Sequence, residues 1–178
     1  MANAAFDARS EELPVDSGID RDQRKILAKK LGHALASSYV LYHKTHAYHW
    51  NVTGPLFYSI HKLTDEQYTN LADAIDEIAE RIRALGFLTP VGFEKYSKDS
   101  VVEGVSSIPD AAHMVHELAS DHHKISAQMR KIAEAAEEAE DVYTADLLTA
   151  RIGFHEEAAW MLNSLIVENK DGLLHADD

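Results

Sequence analysis

Apolar residues recur three and four positions apart along four long stretches of the chain, and no stretch shows the strict alternation of a half-buried strand. This periodicity predicts helices over residues 21–50 and 56–85, a third that begins at Ser107 and extends to residue 139, and a fourth over 141–169. In the second segment, for example, the apolar stripe runs from Leu71 to Leu85. Four helices with one apolar stripe each predict an all-α four-helix bundle.

Glycine and proline mark where these segments end. Gly54 and Pro55 follow the first segment, and Gly86 follows the second. Ser107 is the expected N-cap of the third segment, with Pro109 in its first turn. The connector between the second and third segments has about 22 residues, enough to run the length of a helix, and it holds a candidate short helix near residues 94–98. We therefore expect a crossover bundle rather than two simple hairpins.

The same pattern divides the chain into three parts. The bundle is expected to occupy residues 25–169. Residues 1–24 carry three arginines against six aspartates and glutamates, and are expected to form a flexible acidic extension. Residues 170–178 form a short tail that ends in "HADD" and is also acidic.

Composition narrows the chemistry. The 178 residues include no cysteine, which excludes disulfides, thiolate metal ligands and thiol nucleophiles. Neither a run of 18 apolar residues nor a secretory N-terminus is present, so we expect a soluble, cytoplasmic protein that does not enter a membrane. The formal net charge of −13 opposes binding to phosphate backbones and favours attraction of cations. Charge alone does not decide this, because an acidic surface also keeps ordinary proteins soluble.

The second predicted helix carries a second, polar face. At about 100° per residue, His61, Asp65, Asp76 and Glu80 fall within one narrow sector, roughly 130° from the apolar stripe of the same helix. These side chains are therefore expected to face away from the interior of the bundle. They point outward, toward a neighbouring molecule.

The spacing along that face indicates a site divided between two chains. The eleven positions from Asp65 to Asp76 span roughly 16 Å of helix, which is too far for the ligands of one metal ion. In two antiparallel copies of the helix, facing residues have a constant sum of residue numbers, and 61 with 80 and 65 with 76 both give 141. A two-fold contact repeats this pairing, so it predicts two identical sites.

His49, from the preceding helix, completes each predicted site. Two imidazoles and three carboxylates without a thiolate favour iron or manganese, with zinc as a competitor for the same donors. The alternative is that these polar side chains are solvated, or only mediate dimerisation. The shared sum of 141 favours the metal site, since one two-fold contact brings both pairs of residues together.

The residues named above resemble one known family. The spacing of His49, His61, Asp65, Asp76 and Glu80, with the stretches "HWNVTG", "AERI" and "HEEAAWML", is similar to that of the Dps miniferritins, the DNA-binding proteins from starved cells. The resemblance implies a ferritin-like bundle in a dodecameric shell that oxidises iron(II), by hydrogen peroxide in preference to dioxygen, stores the iron(III) mineral and so limits oxidative damage. It implies that the five residues are ferroxidase ligands, the last two from the two-fold mate.

The resemblance also extends to residues outside this set. Trp50 and Trp160 match aromatic residues near the iron site of the family, where they intercept radical electrons, although interface packing accounts for Trp160 equally well. Asp141 and Asp146 match carboxylates that line a three-fold pore for iron(II), and an ordinary helix start is the alternative for Asp141. Classical ferritins are different, because their core-facing sites use Glu-x-x-His and this chain has no glutamate followed three residues later by histidine.

The remaining histidines are assigned no role. His43 and His46 are expected in packing or solvent, although an approach path for metal is the alternative. His122 and His155 are expected to be satisfied interior or interface residues. His113, His116 and His123 have no set of carboxylates at matching spacing.

Three functions remain in view. The first is an iron-oxidising storage enzyme, which the five-residue spacing favours. The second is a nucleoid-associated, DNA-protecting protein with little catalysis, which the acidic tails disfavour even though Lys25, Lys29 and Lys30 form a small basic cluster. The third is a structural bundle whose polar face only mediates dimerisation.

Overall fold

A computed structural model describes residues 12–166, and within them the protein is all-helical. Its five helices are α1 (Arg21–Asn51), α2 (Phe57–Ala84), α3 (Phe93–Asp99), α4 (Ala111–Glu138) and α5 (Val142–Ser164). The prediction of an all-α bundle is confirmed, and the short helix near 94–98 is α3. Within the same residues, no helix is long and apolar enough to cross a membrane.

The four long helices form two antiparallel pairs, α1 with α2 and α4 with α5, around one apolar core. Side chains on the predicted stripes are fully buried there, among them Leu71, Ile78, Leu118 and Leu148. Burial of this apolar surface is the main force that holds the helices together, since most helical stability in a folded protein comes from packing of the apolar face.

The connector between the two pairs runs along α1, as the crossover prediction requires. The ring of Tyr96 in α3 stacks on Tyr39 with centroids 4.7 Å apart. Further along, the His33 ring nitrogen Nδ1 donates to the Asp99 carbonyl at 3.3 Å, and the Val101 amide donates to the Ser37 hydroxyl at 3.1 Å. The connector therefore returns the chain to the far end of the bundle before α4 begins.

Two helix boundaries differ from the prediction. The N-cap of α4 is Asp110, whose carboxylate accepts a hydrogen bond from the His113 amide, so the predicted cap at Ser107 is wrong. Helix α5 ends at Ser164 rather than residue 169, because the Leu165 and Ile166 amides bond to carbonyls only three residues back. Residues 167–169 lie outside the described residues.

The segment before α1 is tied to the end of α2 from residue 12 onward. The Leu13 amide donates to the Gly86 carbonyl at 2.8 Å, and the buried Arg24 guanidinium donates to the Leu85 carbonyl at 2.7 Å. Gly86 has φ of +100°, and a Cβ there would lie 2.9 Å from the Leu13 carbonyl oxygen, so only glycine fits. The expected flexibility of residues 1–11 lies outside the described residues.

Candidate iron site

The turn between α1 and α2 brings two of the predicted ligands into contact. The imidazoles of His49, near the end of α1, and His61, in the first turns of α2, stack with centroids 3.9 Å apart and 18° between their planes. Nδ1 of His49 donates to the His61 carbonyl at 2.9 Å, and Nδ1 of His61 donates to the His49 carbonyl at 3.0 Å. The two residues therefore hold each other in place through reciprocal hydrogen bonds.

These bonds decide which nitrogen of each ring can bind a metal. A carbonyl oxygen only accepts, so each Nδ1 carries the proton and each neutral ring keeps its lone pair on Nε2. Thr64 supports the arrangement, because its hydroxyl lies 3.3 Å from the His49 Nδ1 and donates its own proton to the Ile60 carbonyl. A fixed tautomer with an open Nε2 is typical of metal-binding histidines.

Asp65 lies one turn beyond His61 on α2, so the two residues share a side of the helix. The Tyr68 hydroxyl donates to Oδ1 of Asp65 at 2.5 Å. That hydrogen bond is the largest cause that lowers the pKa of the Asp65 carboxyl, and the positive charge that His49, Lys62 and His61 can carry lowers it further. Partial burial of the carboxyl raises the pKa and opposes the shift. The side chain is therefore an ionised oxygen donor at neutral pH.

Asp76 and Glu80 lie further along the same helix and do not join this group. Both side chains are exposed, and neither makes a hydrogen bond or ion pair within residues 12–166. Among those residues, no three histidine, aspartate or glutamate side chains of the single chain converge closely enough to hold a metal ion. The isolated chain thus presents two separated half-sites on α2, one with the histidines and one with carboxylates alone.

Comparison with known proteins agrees with this architecture. The ferritin-like domain model matches residues 28–170. The chain is 33% identical over 142 residues to "DNA protection during starvation protein 2" of Bacillus anthracis, covering 80% of this chain and 97% of that protein. The chain belongs to the Dps family of ferritin-like proteins.

Two further proteins are similar to this Dps chain. It is 38% identical over 154 residues to an uncharacterized low temperature-induced protein of Nostoc sp., covering 85% of this chain and 86% of that one. A Dps crystal structure from Vibrio cholerae O1, described as a member of a broad superfamily of ferritin-like diiron-carboxylate proteins, has 32% identity and a TM-score of 0.81, and the alignment covers 88% and 99% of the two chains. The predicted resemblance to Dps is confirmed.

Exposed aromatic residues surround the histidine half-site of this Dps chain. Trp50 is 65% exposed and its indole packs on His46 with centroids 4.0 Å apart. Phe57 stacks on His61 at 5.1 Å, and Tyr58 is 70% exposed. Trp160 is also exposed, but it lies on α5 and makes no ring contact with the histidine pair within the described residues. Trp50 is thus close to the site within one chain.

The two predicted pore carboxylates occupy different environments. Asp141 is 2% exposed, both of its carboxylate oxygens accept from the Arg81 guanidinium at 2.7 Å, and it caps α5 by accepting from the Thr144 amide and hydroxyl. Its carboxylate is therefore already neutralised and hydrogen-bonded inside the chain, as the helix-start alternative expects. Asp146 is exposed on α5, and it is the one of the pair that remains free to meet a cation.

Four of the other histidines fall into two groups. His43 is exposed, whereas the ring of His46 stacks on Tyr68 at 4.2 Å, and burial lowers its pKa. His122 and His155 are buried in the core with their Nδ1 atoms 2.9 Å apart, so one ring donates to the other. Both residues are buried, as expected. Their rings are not fully hydrogen-bonded, however, because both Nε2 atoms lack a partner within the described residues.

Sequence reasoning missed two residues that support the site, Thr64 and Tyr68. Each follows a predicted ligand on α2 by three positions, Thr64 after His61 and Tyr68 after Asp65. Residues three apart on a helix are neighbours, so this spacing was the available signal. Neither hydroxyl binds metal as readily as a carboxylate. A sequence search limited to histidine, aspartate and glutamate therefore does not find either residue.

Proposed function

We propose that this Dps chain assembles into a hollow shell of twelve copies, oxidises iron(II) at sites shared between two-fold-related subunits, and stores the iron(III) mineral inside. The observation that carries the proposal is the reciprocal bonding of His49 and His61, which leaves the Nε2 lone pair of each ring free of a proton, with the ionised Asp65 one turn further along α2. Membership of the ferritin-like diiron-carboxylate superfamily supports iron storage and protection as the general role.

The donor set suits iron(II) as the substrate. Neutral imidazole and carboxylate donors are the ligands that iron and manganese take in proteins, and zinc competes for them. The carboxylates of Asp76 and Glu80 from the two-fold mate would complete the set, since neither has a hydrogen-bond or ion-pair partner among residues 12–166 of its own chain. Three carboxylates balance the charge that develops as iron(II) becomes iron(III).

The surface of α2 supports a close two-fold contact. The facing-residue sum of 141 places the crossing between Thr69 and Ala72, two small and exposed residues. The Thr69 hydroxyl already donates to the Asp65 carbonyl at 2.8 Å, so an approaching helix leaves no donor unpaired there. Near the turn, Trp50, Phe57 and Tyr58 expose aromatic surface of the kind that oligomer interfaces bury.

Hydrogen peroxide is the proposed oxidant in preference to dioxygen. Each peroxide accepts two electrons and two protons to give two waters, and each iron(II) gives one electron. A pair of iron ions at one site therefore reduces peroxide completely without releasing a hydroxyl radical. This chemistry removes both reagents of iron-driven oxidative damage, which is the protective role proposed for the shell.

Two measurements on the purified protein test the proposal. Mass in solution is expected to correspond to about twelve chains, because the family resemblance implies a closed shell. Anaerobic iron(II) followed by peroxide is expected to give a ferric absorption with about two iron ions oxidised per peroxide consumed, faster than with air. A monomeric chain, or a rate no greater than that of iron(II) in buffer, would contradict the proposal.

A further inference from the structure

The Tyr68 hydroxyl bonds directly to the side chain of a proposed iron ligand, Asp65. Tyr68 lies one turn after Asp65 on α2, and its hydroxyl donates to Oδ1 of that carboxylate at 2.5 Å. The other carboxylate oxygen, Oδ2, has no hydrogen-bond partner within the described part of the chain. The bond therefore leaves the carboxylate with one oxygen held and one oxygen open.

The ring of Tyr68 is itself held in place from α1. It stacks on the His46 imidazole with centroids 4.2 Å apart and 19° between the planes. Its edge also meets the His49 ring at 5.1 Å and 77°. The other neighbour is Tyr42, whose ring meets it edge-on at 6.4 Å. A ring packed on three sides has little freedom to rotate, so the position of its hydroxyl is defined.

These contacts give the phenol a specific effect on Asp65. An aspartate side chain on a helix surface samples several rotamers. Restricting it to one rotamer when a metal binds therefore costs conformational entropy. A hydrogen bond from a ring that is already packed restricts the carboxylate before the metal arrives. Outer partners of this kind commonly raise the affinity of a site for its metal.

We propose that Tyr68 is a positioning residue of the iron site, which orients the Asp65 carboxylate and thereby strengthens iron(II) binding without contacting the metal. The inference rests on the proposed function, since it needs Asp65 to bind iron. It assigns a role to a residue that contributes no ligand. The packed ring also links Asp65, on α2, to His49, on α1, so the two donors keep a fixed relation.

Replacement of Tyr68 by phenylalanine tests the proposal. Tyr68→Phe keeps the ring and its packing but removes the hydroxyl, so the ligand count stays the same. Anaerobic iron(II) titration is expected to show roughly three- to tenfold weaker binding, as loss of one charge-assisted hydrogen bond implies. In steady-state oxidation, KM for iron(II) is expected to rise while kcat stays near the wild-type value. The matched control is Tyr42→Phe, which removes a neighbouring hydroxyl that makes no hydrogen bond within residues 12–166.

The same Tyr68→Phe substitution in a chain that already carries Asp65→Ala separates a positioning role of Tyr68 from a general effect on the structure. In an Asp65→Ala chain the phenol has no carboxylate to orient, so adding Tyr68→Phe is expected to cause no further loss of affinity. Equal, additive losses in both backgrounds would overturn the proposal, as would unchanged iron binding by Tyr68→Phe in the wild-type background. A lowered melting temperature with the same loss in Tyr42→Phe would also overturn it.

The experiment distinguishes failure of this inference from failure of the proposed function. If the wild-type shell binds and oxidises iron and Tyr68→Phe behaves identically, only the role of Tyr68 is wrong. If the wild-type protein binds no iron, the proposed function is wrong as well.

Discussion

His49 and His61 exchange hydrogen bonds, with the Nδ1 of each imidazole donating to the backbone carbonyl of the other residue. This relationship joins the end of α1 to the start of α2 and fixes the tautomer of both rings. The acceptors are main-chain atoms, so the arrangement depends on the turn between the helices rather than on another side chain. Each neutral ring consequently keeps an unprotonated Nε2 that can act as a metal ligand.

Zinc is expected to bind the same donors and block iron oxidation, because neutral imidazole and carboxylate suit it equally. Zinc added before iron should lower the oxidation rate in proportion to site occupancy, measured by ferric absorbance. Asp76→Asn with Glu80→Gln should weaken zinc binding in calorimetry. The matched control, Asp73→Asn with Glu77→Gln, changes the same charge on exposed neighbours in α2 and should leave zinc binding intact. Equal zinc affinity in both variants would contradict the ligand assignment.

Asp141 and Asp146 should respond differently to removal of their charge. Asp141→Asn disrupts the ion pair with Arg81 and the cap of α5, so we expect the shell to lose roughly 1–3 kcal/mol per chain, measured by thermal or denaturant unfolding. Asp146→Asn should instead leave stability nearly unchanged and slow iron uptake into the shell. If Asp146→Asn leaves uptake at the wild-type rate, the pore role that the family resemblance implies for Asp146 is wrong.

The buried pair of His122 and His155 predicts a loss of stability in acid. Burial lowers the pKa of His122 to about 3 and that of His155 well below its ordinary value. The folded chain therefore keeps both rings neutral, while the unfolded chain protonates them below about pH 6.5. Their contribution is fully present above that pH and decreases as the pH falls from about 6.5 toward 3.

Chemical unfolding at a series of pH values measures this effect. Replacing both rings, as in His122→Leu with His155→Leu, should flatten the fall in unfolding free energy below pH 6.5, whatever its effect at neutral pH. His116→Gln removes an exposed histidine and should leave the slope as it is in the wild type. An unchanged slope in the double variant would show that other groups control acid stability.

DNA binding is expected to be weak despite the name of the family. The formal charge of −13 per chain, multiplied over a shell, opposes approach to phosphates. A mobility-shift experiment at about 150 mM salt should leave the DNA unshifted. A clear shift that disappears on replacing Lys25, Lys29 and Lys30 by glutamine would instead identify that cluster as a DNA contact.

The helices and the site halves were predictable from sequence because each depends on periodicity. Apolar spacing gave four long helices, and the polar spacing of His61, Asp65, Asp76 and Glu80 gave one outward face. Both features depend on residues close together in the chain. The structure confirms the helices and brings His49 and His61 together, while the pairing of the two half-sites across chains stays a prediction.

Other features depended on long-range contacts or on a choice between equivalent residues. Asp141 is buried because Arg81, sixty residues earlier, reaches it, and no local pattern reports that pairing. Ser107 and Asp110 both belong to residue types that favour the N-cap, and the folded chain uses Asp110. The bond from Tyr68 to Asp65 depends on rotamers set by packing on α1.

Complementation between two inactive chains tests the central claim most directly. One chain carries His61→Ala with Asp65→Ala, and the other carries Asp76→Ala with Glu80→Ala, so each alone lacks one half of every site. In shells assembled from equal amounts of both, about half of the two-fold pairs are mixed, and each mixed pair restores one of its two sites. The account predicts iron oxidation at about a quarter of the wild-type rate in mixed shells and almost none in either parent. Mixed shells no more active than their parents would contradict a site shared between subunits.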